Sequence, residues 1–193
     1  MKKTILAAAA ALILSPAMGA FAQASTWTID SAHSSASFEI RHMGVSNVRG
    51  AISNIKGSVV WDEKDLTKDS VVADLDATTV NTNMDARDKH LKSPDFFNVE
   101  KFPTIHFQSK KVTREGGKLV VWGDLTLAGV TKPVKLDVDG PVPPQKGMKG
   151  GLVSGFSAST VIKRADFGFG GKYAPPMLGD EVKITIDMEI DKQ

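Results

Sequence analysis

Residues 182–190 read Val-Lys-Ile-Thr-Ile-Asp-Met-Glu-Ile, and this stretch decides the fold class. Its apolar side chains occupy every second position, and Lys183, Thr185, Asp187 and Glu189 stand between them. Successive side chains of a strand point to opposite faces, so a period of two is typical of a half-buried antiparallel strand. The C-terminal segment therefore predicts a strand with one face packed on an apolar interior.

The same alternation occurs in seven earlier segments. They are residues 38–42, 55–61, 71–77, 105–109, 119–127, 134–138 and 156–162. Polar or glycine-containing turns separate several of them, as at residues 62–65, 114–117 and 128–133. About eight short strands with tight turns predict an all-β sandwich or barrel, and closing a barrel would remove exposed edge strands.

The N-terminus has the order of a secretory signal. Lys2 and Lys3 precede an apolar run at residues 5–14, and small residues occupy most of positions 20–24. Ten apolar residues are fewer than the roughly 20 that a bilayer-spanning helix needs. We therefore expect a cleaved signal peptide, a periplasmic protein and no integral membrane segment after cleavage.

The cleavage site has two candidates. A cut after Ala22 and a cut after Ala24 both follow small residues, and the sequence does not decide between them. The predicted organisation is a signal peptide at 1–22, or 1–24 with the later cut, followed by a single β-barrel lipid-binding domain at 23–193. A chain of this length buries a sizeable core without disulfides or metals.

Charge and cysteine content exclude several classes of function. The full chain has 24 basic and 22 acidic residues, and losing Lys2 and Lys3 with the signal leaves 22 of each. A neutral domain without a long basic run gives no electrostatic reason to bind nucleic acid. The absence of cysteine excludes a disulfide framework, a lipid-modified cysteine anchor and thiol catalysis.

One segment, residues 81–97, interrupts the strand pattern. Good helix formers occupy positions 84–91, and either Asn81 or Asn83 is placed to cap the helix. Its predicted inner face, by helical spacing, consists of Met84, Arg87, Asp88 and Leu91. We therefore expect a short helical insertion between two strands.

Aromatic residues cluster in sequence around this insertion, at Phe96, Phe97, Phe102 and Phe107. Two interpretations are open. The aromatic rings either form a core plug that closes one end of a barrel, or they line an apolar pocket with Arg87 and His90 at its mouth.

The four histidines do not stand at metal-ligand spacings. His33, His42, His90 and His106 are scattered, so no metal and no cofactor is predicted. His42 and His106 both lie in predicted strands, which leaves open that they approach each other across the sheet.

Four motifs resemble those of the YceI-like family, in the order expected for it. They are FEIRHMGVS at 38–46, TNMDARDKHLKSPDFF at 82–97, FPTIHF at 102–107 and GDLTLAGVTKPV at 123–134. The likeness covers essentially the whole chain after the signal. It implies an eight-stranded antiparallel lipocalin-like barrel, periplasmic in many bacteria, that encloses a long apolar chain such as a polyisoprenoid. Related members are associated with isoprenoid quinones and fatty-acid amides.

The function expected from this resemblance is non-catalytic binding of a polyisoprenoid, isoprenoid quinone or fatty-acid-like lipid, for transport, storage or a stress response. The candidate ligand-binding residues are Phe38, Ile40, His42, Met84, Arg87, His90, Leu91, Phe96, Phe97 and Phe107. The alternative is a lipid- or quinone-modifying enzyme on the same barrel, with His42, His90 or Arg87 as acid or base. A homodimer is left open.

Small residues in the predicted strands bear on whether a ligand has room. Gly57, Ala73, Gly123, Gly155 and Ala158 either enlarge the interior or mark bulges and bends.

Overall fold

The computed structural model describes residues 24–148 and 150–193. The predicted signal peptide at 1–22 lies outside the described residues, and so does all but Ala24 of the longer alternative. The first strand begins at Ser25, so either predicted cut would leave it whole. Within the described residues, no helix is long and apolar enough to cross a membrane.

The described part of the chain forms eleven strands and one α-helix. The strands are β1 (Ser25–Ile29), β2 (Ser35–His42), β3 (Ser46–Ile52), β4 (Ile55–Trp61), β5 (Ser70–Asp76), β6 (Thr104–Glu115), β7 (Lys118–Leu127), β8 (Val130–Asp139), β9 (Gln145–Lys146), β10 (Leu152–Lys163) and β11 (Leu178–Lys192). The helix α1 spans Asp85–Lys92, and short 3-10 turns occupy Leu66–Lys68, Ala77–Thr79 and Arg164–Phe167.

The sheet closes on itself through β11. One edge of β11 pairs with β10 from Glu181 to Asp191. The other edge pairs with β2 and, beyond Glu189, with β1. The resulting ring runs β11-β1-β4-β5-β6-β7-β8-β10 and returns to β11, with the β2–β3 hairpin extending it at one end. The predicted all-β, eight-stranded, lipocalin-like barrel with a short helical insertion is confirmed.

All eight segments with alternating side chains form strands, whereas β1, β3 and β9 were not predicted. β3 shows why: along the sheet it pairs only with β2, and its other edge makes a single bridge between Ala51 and Asn81. An edge strand that is buried mainly at one end does not need strict alternation of apolar and polar residues.

The cap predicted for α1 is wrong. The residue before the helix is Met84, whose side chain makes no capping hydrogen bond. Asn81 instead accepts the backbone N–H of Asn83 through its Oδ1 atom at 2.7 Å, which forms a local turn before the helix. The carboxylate of Asp88 also holds this approach in place, because it accepts the N–H of Thr82 at 2.8 Å.

One end of the barrel is filled by side chains. Trp27, Ile55 and Ile190 are at most 1% exposed and belong to one buried cluster. The indole N–H of Trp27 is satisfied by Ser25 Oγ at 2.8 Å, and the Trp27 ring lies 5.7 Å from that of Trp61. Tightly packed apolar side chains therefore fill this end of the barrel.

We predict that Ile190→Ala lowers the free energy of unfolding by about 2–5 kcal/mol, because it opens a cavity in a site with no exposure. Urea denaturation followed by tryptophan fluorescence measures the change. The control is Val161→Ala on the outer face of β10, where the side chain is 55% exposed and the expected change is within about 0.5 kcal/mol. Equal effects of the two variants would contradict this view of the core.

Candidate binding cavity

A cavity of about 410 Å³ occupies the barrel interior toward the end opposite the Trp27 cluster. Its wall consists of the inward side chains of β2, β3, β5–β8, β10 and β11. Val182, Ile184 and Ile186 line it, whereas Lys183 and Thr185 between them are exposed on the outer face. The alternation that predicted a strand is therefore the alternation between cavity wall and solvent.

Nine of the ten predicted binding residues lie on this wall. They are Phe38, Ile40, His42, Arg87, His90, Leu91, Phe96, Phe97 and Phe107. Met84 does not line the cavity and is 52% exposed. The reason is its extended backbone, with φ −148° and ψ 101°, which takes it off the helical face shared by Arg87 and Leu91. Contact of any of the ten with a ligand remains a prediction.

Two segments close this end of the barrel. We call them the lid: α1 with the turn through Phe97, and the segment between β10 and β11 at residues 164–177. The Phe96 and Tyr173 rings stack with centroids 5.5 Å apart and planes 7° apart. Phe169 packs edge-on against Phe97 at 4.7 Å. The aromatic residues thus close one end, as the plug interpretation predicted, but the interior that Phe96 and Phe97 line is hollow, as the pocket interpretation predicted.

Polar groups gather at the lid. The Tyr173 hydroxyl lies 3.1 Å from Nε2 of His90, and an Asp95 carboxylate oxygen lies 3.5 Å from both groups. The ammonium group of Lys172, 2.7 Å from the other oxygen, holds the pKa of Asp95 below its ordinary value. Asp95 is therefore ionised at neutral pH, and it lies beside His90 and Tyr173, which line the lid end of a mostly apolar cavity.

Arg87 is another polar residue of the cavity wall. Its Nε donates to Thr82 Oγ1 at 2.7 Å, and its Nη2 donates to the Thr82 carbonyl at 2.9 Å. These two bonds orient the guanidinium and hold a positive charge beside the cavity.

Arg164 is a buried cation, 5% exposed, and it holds the second lid segment together. It donates to the carbonyl groups of Phe169, Gly170, Tyr173, Leu178 and Gly179. Within the described residues, no carboxylate is among its hydrogen-bond partners. Five backbone dipoles replace the counter-ion, so the path of the chain around Arg164 is tied to one side chain.

The histidines do not assemble into one site. His42 lines the cavity, whereas His106 lies on the outer face, with Nδ1 2.6 Å from Asp74. The hypothesis that His42 and His106 approach each other is wrong, because β2 and β6 are not neighbours in the sheet and the two side chains lie on opposite sides of the barrel wall. His33 forms a separate surface group with Asp30 and Glu189, and none of these three residues lines the cavity.

Comparison with known proteins is consistent with the barrel fold. A family model described as the YceI-like domain matches residues 27–190. The chain belongs to the YceI-like family. It is 38% identical over 187 residues to a UPF0312 protein of Photorhabdus laumondii, with 97% of each chain covered.

Two solved structures share the fold of this YceI-like domain. The Campylobacter jejuni YceI protein is 30% identical and superimposes with a TM-score of 0.70, covering 79% of this chain and 90% of that one. A polyisoprenoid-binding domain from Saccharophagus degradans is 13% identical with a TM-score of 0.65, covering 89% of this chain and 100% of that one.

Sequence reasoning did not name Asp95, Arg164, Phe169 or Tyr173 among the candidate binding residues of this YceI-like domain, although the glycine- and aromatic-rich stretch 166–179 indicates a flap near an open end of the barrel. For Arg164 a usable pattern existed. The inward series on β10 runs Phe156, Ala158, Thr160 and Ile162, and the next position in that period of two is Arg164. A charged residue at an inward position indicates a buried, fully hydrogen-bonded group.

Two of the small residues of this YceI-like domain enlarge the cavity, and two glycines are required by a close contact or by a bend in the strand. Ala73 and Ala158 line the cavity and leave it room. Gly123 instead makes room for Phe107, since a Cβ atom there would lie 2.5 Å from the ring. At Gly57, with φ 146°, a Cβ atom would collide with the carbonyl oxygen of Val72, as expected for a bend in the strand.

We predict that Arg164→Gln lowers the free energy of unfolding by about 3 kcal/mol or more, because several buried carbonyl groups lose their donor. Hydrogen exchange at Phe169, Gly170 and Tyr173 should accelerate more than exchange at the Trp27 end. The control is Arg114→Gln at an exposed position, with an expected change within about 0.5 kcal/mol. Unchanged protection of these three amides would refute the role assigned to Arg164.

Proposed function

We propose that this protein is a non-catalytic binding protein that encloses an isoprenoid or similar long-chain amphiphilic lipid in the barrel. The observation that carries the proposal is the cavity itself: a mostly apolar wall with Arg87, His90 and Tyr173 at the lid. About 300–1,000 Å³ is the usual range for ligand pockets, and this cavity lies within it. An apolar chain matches the wall, and a polar head group matches the lid.

The free energy of binding favours a long apolar lipid over a compact polar ligand. Burial of apolar surface contributes about 25 cal/mol for each Å² removed from water, and a polyprenyl tail has almost no other favourable state in water. A polar metabolite would lose its hydrogen bonds to water against Val182, Ile184 and Ile186 without replacement. The wall therefore selects for length and apolarity.

The lid supplies the groups that a head group would meet. Arg87 carries a fixed positive charge, while His90 and Tyr173 offer a ring nitrogen and a hydroxyl. Phosphate or carbonyl oxygens of a lipid head would accept hydrogen bonds from such groups. The name of the Saccharophagus degradans domain supports a polyisoprenoid as the first ligand to test, with isoprenoid quinones and fatty-acid amides next.

We predict that Ala158→Leu weakens binding of a polyprenyl phosphate at least about tenfold, because the added side chain occupies cavity space that the ligand needs. Ser159→Leu is the matched control, since it places the same side chain next to Ala158 on the outer face. Titration monitored by tryptophan fluorescence, with mass spectrometry of solvent-extracted protein, measures both variants. Equal binding by the two variants, or no bound lipid in the wild type, would refute the proposal.

A lipid-modifying enzyme is the second candidate, and the contact between His90 and Tyr173 beside Asp95 favours it. These three groups could pass a proton at the cavity edge. The two candidates differ in the fate of the lipid. A binding protein returns it chemically unchanged after incubation, whereas an enzyme yields a product that disappears in His90→Ala while binding persists.

We further propose that the protein works in the periplasm after signal cleavage, as a lipid carrier, store or stress protein, with pairing into a homodimer still open. Osmotic shock should release the protein, and N-terminal sequencing should find Gln23 or Ser25 first. Deleting residues 2–22 should leave it in the cytoplasmic fraction. Absence of the protein from the osmotic-shock fluid would contradict export. Recovery there of a protein whose N-terminal residue is Met1 would contradict signal cleavage.

A further inference from the structure

The β2–β3 turn and the end of the second lid segment meet beside the cavity. The backbone N–H of Met43 donates to the carbonyl of Met177 at 3.1 Å. A Cβ atom at Gly44 would lie 3.9 Å from the Cβ of Pro176. We call the surface formed by residues 43–45 and 174–177 the rim.

The rim is an apolar surface exposed to solvent. Met43 is 50% exposed, Val45 77% and Met177 50%. Ala174, Pro175 and Pro176 are exposed beside them. Large apolar side chains standing together on the surface mark a site of interaction more often than isolated ones do.

The turn between β2 and β3 requires a backbone conformation at Met43 that is unfavourable for methionine. Val45 N–H donates to the His42 carbonyl at 3.0 Å, and the two central residues, Met43 and Gly44, have φ of 51° and 71°. Positive φ at both central positions is what hairpin turns with Asn-Gly adopt. Methionine adopts positive φ reluctantly, so its presence at the tip points to a use for its side chain outside the fold.

The rim is continuous with the cavity. Met177 is both a rim residue and a wall residue, and His42, directly before the turn, also lines the cavity. An apolar ligand that crosses this boundary passes from one apolar surface to another.

The charges beside the rim suit a membrane. The segments 41–46 and 171–177 contain Arg41 and Lys172 and no acidic residue. Lys172 is paired with Asp95, whereas the Arg41 side chain is held by neutral groups, the Gly44 carbonyl and the Asn47 amide oxygen. Apolar side chains flanked by a basic residue are the usual features of a surface that inserts shallowly into an anionic bilayer.

From these observations we propose that the rim docks on the surface of a phospholipid bilayer, with Met43 and Val45 inserted among the lipids, so that the cavity opens onto the membrane. This inference rests on the proposed lipid-binding function, and it adds the partner from which the ligand is taken or to which it is given.

The test separates docking from lipid binding. Vesicles of phosphatidylethanolamine and phosphatidylglycerol in equal parts, without polyprenyl lipid, are sedimented with the protein. Met43→Asn and Val45→Asn should each weaken sedimentation at least about fivefold. Val142→Asn is the control, because Val142 is 51% exposed and its backbone bonds to Gly155 and Ser154, away from the lid.

Two further measurements make the outcome decisive. Met43→Asn should keep or raise the urea midpoint, since asparagine suits positive φ, so lost docking cannot be ascribed to unfolding. Both rim variants should still bind polyprenyl phosphate in solution as the wild type does. Failure of the wild type to bind polyprenyl phosphate would refute the lipid-binding proposal and the lipid exchange inferred from it, whereas sedimentation on these vesicles decides docking itself.

Wild-type sedimentation equal to that of Met43→Asn, with polyprenyl phosphate binding intact, would refute docking alone. A dimer that Met43→Asn dissociates, without wild-type sedimentation on vesicles, would assign the rim to a second copy of this chain and would likewise refute docking.

Discussion

Strand β11 is the element on which the rest of the structure depends. Its fifteen residues hydrogen-bond along both edges, to β10 on one side and to β1 and β2 on the other. Because one strand joins the first strands of the chain to the last, the sheet has to curve fully round. A ring of eight strands leaves space between opposite walls that side chains of ordinary size either fill or leave open.

The two ends of the barrel resolve this constraint differently. At one end, Trp27, Ile55 and Ile190 fill the space and belong to one of the two buried apolar clusters of the described residues. Beyond this cluster the walls carry mainly Val, Ile, Leu and Phe side chains, three alanines also line the interior, and the interior stays hollow. A protein can keep an unfilled cavity because dense packing elsewhere offsets its cost.

The lid shows how an irregular segment is held in place over such a cavity. Its second part has no regular strand between Phe167 and Leu178, so its backbone groups need partners. Arg164 supplies hydrogen bonds to five carbonyl groups from one buried side chain, and Phe96 and Tyr173 stack across the junction with the other lid segment. The same segment ends at Met177 beside the β2–β3 turn, which places an exposed apolar surface at the edge of the cavity.

Sequence patterns were enough to predict the strands with regular alternation, the helical insertion, the family and nine of the residues on the cavity wall. These predictions follow from local periodicity and from four motifs that occur in the order expected for the family. The hollow interior, the position of Met84 off the wall and the role of Arg164 in the lid became visible only in the folded structure. The position of Met84 depends on the backbone angles at that one residue, whereas the cavity and the hydrogen bonds of Arg164 depend on groups that are separated along the chain. Periodicity assigns a side chain to a face, but the closure of the sheet decides what that face encloses.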